Sequence, residues 1–253
     1  MLSVILSCVS AREARAAEDG KPEKMPEAIK TADDFERWAT YYYLDPKPEM
    51  TVEAIAFIAK EGAIGEHSAA MMGFLAEVFR QNKGKLQEWT QKLDALEGKA
   101  SILVWTTLWL SDTAEAKEIL KKALAGAGGE EEKMLLGALM GQAPPEAATM
   151  EIGEPAVIDM LWGTFFATGD KKYVLRIAGV LPWGGQKEDL EKAAIAAAAK
   201  WSLVSNAVRH DLVMKICKEE IQRQPGELSA ALKAIVEEAA RTPRDGQPAP
   251  AKP

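Results

Sequence analysis

Two histidines, His67 and His210, are the side chains best suited to acid–base work near neutral pH in this chain. Neither belongs to an HExxH pattern, and the sequence has no CxxC, so a metal site is not predicted. The nucleophile pattern GxSxG and a phosphate-binding loop are also missing. His210 stands between two helical segments and is predicted to cap or turn the chain there. The sequence therefore predicts no catalytic residue, no metal and no cofactor.

Acidic side chains and tyrosines leave an enzyme open as one alternative function. Two carboxylates on either side of a bond can act as acid and base, as in glycosidases, but no spacing in this chain selects a pair. The candidate residues for such chemistry are Glu66, Asp159, Asp170, Tyr41, Tyr42 and Tyr43.

Aromatic side chains are the stronger indication of function, because Trp and Tyr add large contact area to protein interfaces. Three successive tyrosines follow Trp38, and successive helical positions cannot all face one core. A second aromatic group surrounds the turn at Gly169. Asn206 and Arg209, one turn from Trp201 and Val204, and the junction residue His210 are added as polar candidates. The candidate binding residues are Trp38, Tyr41, Tyr42, Tyr43, Trp162, Trp183, Asn206, Arg209 and His210.

Methionines support a third class of function, a carrier of a small apolar ligand or lipid. The thioether side chain adapts to irregular apolar shapes and could line a cavity between helices. Core packing would use the same side chains without a ligand. The methionines in question are Met71, Met72, Met134, Met140 and Met160.

Helical periodicity dominates the elements that must position these residues. Thr31 and Asp34 form a capping pair ahead of the first helix. The apolar run 102–110 could be a strand by composition, but its flanks end one helix and cap another, which predicts a buried helix. From Leu190 to Val208 apolar residues alternate at spacings of four and three, and the small ones among them permit close helix–helix approach. About eleven helices are predicted, which makes the chain all-α.

Turns rich in glycine and aspartate recur every 30–40 residues or so, the spacing of helix-pair repeats. The layout resembles α-solenoids of the tetratricopeptide or HEAT kind, and Trp162-Gly163 with Gly169-Asp170 is similar to a tetratricopeptide first helix and turn. The small residue expected early in the following helix is absent, since Leu175 and Arg176 stand there. The resemblance implies antiparallel hairpins stacked as an irregular α-solenoid; an irregular globular helical bundle is the alternative.

Composition fits a globular protein, with 47% apolar residues among 253 and a net charge of −7. The acidic balance and the lack of a basic cluster argue against nucleic acid as a partner. Residues 17–30 are predicted to be a flexible lead-in, 31–241 one helical domain, and 242–253 a disordered proline-rich tail.

The first residues are predicted to be a secretory leader. The apolar run Leu2–Val9 precedes Ala14 and Ala16, which fit a signal-peptidase site with cleavage after Ala16. Lipidation at Cys8 is a minor alternative, and an uncleaved cytoplasmic chain is another. The remaining thiol, Cys217, lies on an apolar helical face, and no segment of the mature chain reaches the about 18 apolar residues of a membrane helix.

Taken with the aromatic candidates, the sequence predicts a periplasmic or secreted, non-catalytic interaction or scaffold protein. Its expected partner is another protein or peptide, and its oligomeric state is left open.

Overall fold

A computed structural model describes residues 25–62, 64–65, 68–186, 188–223 and 226–243. This part of the chain contains helices and no strand, which confirms the all-α prediction. The predicted leader, Cys8, most of the lead-in, nearly all of the tail, and the candidate residues Glu66 and His67 lie outside the described residues.

Twelve α-helices and two short 3-10 helices, Pro48–Met50 and Leu181–Gly185, make up the described chain. The α-helices are α1 (Ala32–Tyr41), α2 (Thr51–Lys60), α3 (Ser68–Gln81), α4 (Leu86–Lys92), α5 (Lys99–Ser111), α6 (Ala114–Gly126), α7 (Glu130–Met140), α8 (Pro155–Thr168), α9 (Lys171–Gly179), α10 (Leu190–Arg209), α11 (Asp211–Arg223) and α12 (Glu227–Arg241).

Local sequence explains several of these boundaries. The Thr31 hydroxyl accepts from the Asp34 N–H, and the Asp34 carboxylate accepts from the Thr31 N–H, which is the predicted capping box of α1. The apolar run 102–110 is helical within α5, and the Thr113 side chain caps α6 by accepting from the Ala116 N–H. Both predictions are thereby confirmed.

The described chain divides into two compact units, an N-terminal unit of residues Met25–Arg176 and a C-terminal unit that begins at Ile177. The boundary falls inside α9. The sequence predicts a single domain over 31–241.

In the N-terminal unit the most extensive helix pair is α3 with α8. Both helices place a glycine at the contact: a Cβ on Gly73 would overlap the Met160 carbonyl oxygen, and a Cβ on Gly163 would overlap the Ala70 carbonyl oxygen. The two backbones therefore touch, as small residues allow. In a solenoid, stacked hairpins pack mainly on the hairpins next to them in sequence, whereas α3 and α8 are separated by four other helices. The predicted solenoid arrangement is therefore not confirmed.

In the C-terminal unit α10 packs on α11, on α12 and on the 3-10 helix Leu181–Gly185, and α11 packs on α12. Buried aliphatic side chains from all three helices form its core, among them Ile195, Leu203, Val213, Ile216 and Leu232. Cys217 is buried among them with 1% of its surface exposed, and burial raises the pKa of its thiol to about 11. This thiol acts as a small apolar core group.

Candidate functional site

The first predicted aromatic group forms part of the core of the N-terminal unit. Trp38 and Tyr42 are 0% and 1% exposed, and their rings meet Phe74 edge to face at 5.1 and 5.3 Å between centroids. The Trp38 indole N–H donates to the Lys47 carbonyl at 3.1 Å. Burial raises the pKa of Tyr42 to about 12. In this conformation neither side chain presents a surface to a partner.

The second aromatic group lies on α8 of the same unit, and Phe166 of this group packs against the core. Trp162 is buried in α8, and its indole N–H has no acceptor among the described residues. The Tyr43 ring lies 5.3 Å from that of Phe165, and the Tyr43 N–H donates to the Phe166 carbonyl at 3.0 Å. Tyr41 and Tyr43 are half-buried, so the three tyrosines differ in burial as successive positions should.

The remaining predicted binding residues belong to the C-terminal unit. Trp183 is half-buried in the 3-10 helix, and Arg209 is half-buried at the last turn of α10. The Asn206 amide donates to the Ser202 carbonyl at 2.9 Å, one turn earlier in its own helix. His210 is the C-cap of α10, which confirms its predicted capping position.

Burial of His210, which is 1% exposed, predicts a pH-dependent stability for the C-terminal unit. Desolvation of the imidazolium lowers the pKa of His210 from 6.5 to about 3. Because the folded-state value lies below the unfolded one, the neutral ring stabilises the fold fully above about pH 6.5 and progressively less below it. We expect the free energy of unfolding to fall by about 2 kcal/mol between about pH 7 and about pH 5.

Urea titrations followed by circular dichroism at several pH values measure this slope. The substitution His210→Gln removes the titrating group and should flatten the curve over that range. A wild-type curve as flat as that of the variant would contradict the assignment.

Among the candidate residues for enzyme chemistry that the structure describes, Asp159 and Asp170 are the two carboxylates, and both belong to the region of α8 and its C-terminal turn. Asp159 and Thr168 are separated by about 14 Å of helix α8. Asp170 follows that helix beyond its C-cap Gly169, so the two carboxylates belong to positions about three helical turns apart. Burial raises the pKa of Asp159.

Tyr43 and Asp170 do reach the same turn, because the Tyr43 side chain packs against Gly169. The Asp170 carboxylate accepts from the Lys172 N–H at 2.9 Å and pairs with the Lys172 ammonium at 3.1 Å. Although burial opposes them, these contacts lower the pKa of Asp170. An ionised, paired carboxylate of this kind is an unsuitable general acid.

The five methionines of the carrier alternative lie in the N-terminal unit and differ in exposure. Met134 is 69% exposed on α7, whereas Met71, Met72 and Met140 pack against the core from its margin. A shallow depression on the surface lies in the C-terminal unit, along the outer side of α11, and none of the five lines it: its residues are Asp211, Met214, Lys215, Lys218, Glu219 and Gln222.

Helix α10 carries apolar residues on two opposite sides. The inner side contains Ile195, Ala199 and Leu203, all buried against the rest of the C-terminal unit. The outer side carries Leu190, which is 78% exposed, and Trp201, which is 51% exposed. Eleven residues make about three helical turns, so these two side chains lie on the same side of the helix.

Between Leu190 and Trp201 the outer side of α10 carries only alanines. Ala194 and Ala197 are exposed, and Ala193 and Ala198 flank them half-buried. We call Leu190, Ala194, Ala197 and Trp201 the α10 outer face. Large side chains at both ends of a small-residue stretch leave a shallow apolar surface about 16 Å long.

The spacing of four and three along α10 was detectable in the sequence, but its orientation was not. The spacing of Leu190, Ala194, Ala197 and Trp201 predicts a core-facing side, whereas the buried residues level with them, Ile195, Ala199 and Leu203, lie about half a turn away around the helix. Because the helix is rich in alanine, both sides qualify as apolar. The exposed fraction of each side chain distinguishes the α10 outer face from the core-facing side, whereas the periodicity of apolar residues does not.

No described group of three or more His, Cys, Asp and Glu side chains could hold a metal ion. Within the same residues, no helix combines the length and the apolar character needed to cross a bilayer. No protein-family model, curated protein or solved structure matches this chain.

Proposed function

We propose that this chain is a non-catalytic protein-interaction protein and that the α10 outer face is its binding surface. The exposure of Trp201 supports the proposal. A half-exposed tryptophan and a largely exposed leucine on one helix side are costly to leave in water, and Trp is the residue most enriched at interface hot spots.

The small residues of the face favour a helix as the bound element. Alanines at positions 194 and 197 let a second backbone approach closely, while Leu190 and Trp201 contact it at either end. The 4-3 spacing is that of a coiled-coil seam, in which each side chain inserts between residues of a facing helix. An enzyme would require converging polar groups, and this face has none of them.

Cross-linking in the native cell tests the proposal. A photo-reactive amino acid in place of Glu191, exposed at the edge of the face, should form protein adducts that the same residue at exposed Glu118 on α6 does not form. Adding Trp201→Glu should reduce the Glu191-site adducts by at least about tenfold, as expected for a hot-spot residue. Equal adduct yields at the two sites, or yields insensitive to Trp201→Glu, would overturn the proposal.

We further propose that the protein works in a bacterial-type cell envelope, as a periplasmic or secreted chain. The support is the apolar run Leu2–Val9 followed by Ala14 and Ala16 in a signal-peptidase pattern. Intact-mass measurement of the protein from fractionated cells should find a chain that begins at Ala17 outside the cytoplasm. An unprocessed chain in the cytosol would refute export.

A further inference from the structure

The outer face of α10 is complementary to itself when two copies run antiparallel. Its residues are arranged symmetrically about the midpoint between positions 195 and 196. A second helix of opposite direction therefore brings Leu190 to the level of the other copy's Trp201, and Ala194 to the level of its Ala197. Each end then joins a large aliphatic side chain to an aromatic one, and the centre joins alanine to alanine.

Charge at the edge of the face follows the same symmetry. Asp189 and Lys200, like Leu190 and Trp201, are eleven residues apart and so share one edge of the helix. In an antiparallel pair, the Asp189 of each copy lies on the same edge as the other copy's Lys200. The two residues are offset by about two positions along the helix axis. Parallel pairing would instead bring the Asp189 of each copy to the edge that carries the other copy's Glu191, about two residues away along the helix, which is repulsive.

Both charges are available for such a contact at small cost. Lys200 pairs at 3.2 Å with Glu238, and both side chains are about half exposed. Asp189 pairs at 3.2 Å with Lys192 across a similarly exposed surface, and its other oxygen caps α10 by accepting from the Lys192 N–H. Exposed pairs of this kind contribute about 0–1 kcal/mol, so the side chains can exchange partners readily.

We propose that the α10 outer face binds a second copy of this chain, forming an antiparallel homodimer about a twofold axis near residue 195. This inference rests on the proposed function, since it names the partner of the same surface. One helix pair of this length buries less than the about 800 Å² per partner of a standard interface. The dimer is therefore weak and reversible, with a dissociation constant in the range of about 10 to 100 µM.

Sedimentation of the full chain over a range of concentrations tests the pairing. The weight-average mass should rise from 27.5 kDa toward twice that value as concentration increases. Trp201→Glu and Ala197→Glu should each weaken the dimer by at least about tenfold. The matched control is Ile102→Glu, which removes a side chain of similar exposure, 47%, from α5 and should leave the dimer unchanged.

Spin labels test the antiparallel direction. A label at Ser205→Cys, in a chain with Cys8→Ser, reports one site per copy because Cys217 is buried. Antiparallel pairing about residue 195 separates the two labels by about 30 Å along the helix axes. A separation below about 15 Å would show parallel pairing and overturn the proposal.

The outcomes separate this inference from the proposed function. A wild-type chain that keeps a mass of 27.5 kDa at every concentration overturns the homodimer. If Glu191-site cross-links in cells then still contain a different protein, the proposed function stands with another partner. If those cross-links are also absent, both fail.

Discussion

Gly163→Ala should destabilise the N-terminal unit by at least about 3 kcal/mol, although the change adds one methyl group. The new Cβ would overlap the Ala70 carbonyl oxygen and lie 2.9 Å from the Phe74 backbone nitrogen. Backbone atoms cannot move aside by changing a rotamer, so α3 and α8 must separate and lose part of their mutual packing. Thermal unfolding followed by circular dichroism should show a midpoint lower by about 10 °C.

Gly137→Ala is the matched control for this prediction. Gly137 lies within α7, is exposed, and has nothing within 4 Å of the position of an added Cβ. Alanine favours the helix there, so stability should rise by up to about 1 kcal/mol. If the two variants changed stability alike, close backbone contact would not be the reason for the glycine at position 163.

Trp38→Ala should cost about 4 kcal/mol of the free energy of unfolding. The ring is fully buried, packs edge to face on Tyr42 and Phe74, and donates through its indole N–H to the Lys47 carbonyl. Its removal leaves a large cavity and an unsatisfied carbonyl at the connection between α1 and α2. Urea unfolding followed by far-ultraviolet circular dichroism avoids the overlapping fluorescence of seven tryptophans.

Trp201→Ala is the corresponding control with the same change of side chain. Half of the Trp201 surface is exposed and alanine favours helix, so the expected change in stability is within about 0.5 kcal/mol. A large loss at Trp201 together with a small loss at Trp38 would reverse the assignment of these residues to binding surface and core.

Local patterns in the sequence were sufficient for the helices themselves. The capping box at Thr31 and Asp34 and the N-cap at Thr113 depend on residues three positions apart, so sequence contains all that determines them. The helix at 102–110 was decided by its flanks in the same way. Long-range packing is different: nothing near Gly73 in sequence indicates that its partner helix is α8.

The candidate site could be predicted only in part for the same reason. Trp38 and Tyr42 have the residue types of a binding surface, and burial depends on which helices pack over them. The sequence predicts that the residues of the α10 outer face are apolar and allow close helix approach. Their outward orientation depends on α11 and α12, which pack on the other side of α10. The sequence does not single out Leu190 as a site residue, because an apolar residue at this spacing predicts a core position.

The glycine contact between α3 and α8 also determines when the N-terminal unit can fold during synthesis. Gly163 follows Gly73 by about 90 residues, and the side of α3 that α8 contacts has no cover until α8 has left the ribosome, although α1 and α5 already pack on other parts of α3. Contacts of such sequence separation form late and slow folding, because a long loop must close first. A nascent chain that ends before Pro155 therefore leaves the α8-facing side of α3 exposed, and apolar surface exposed during synthesis favours association with other chains.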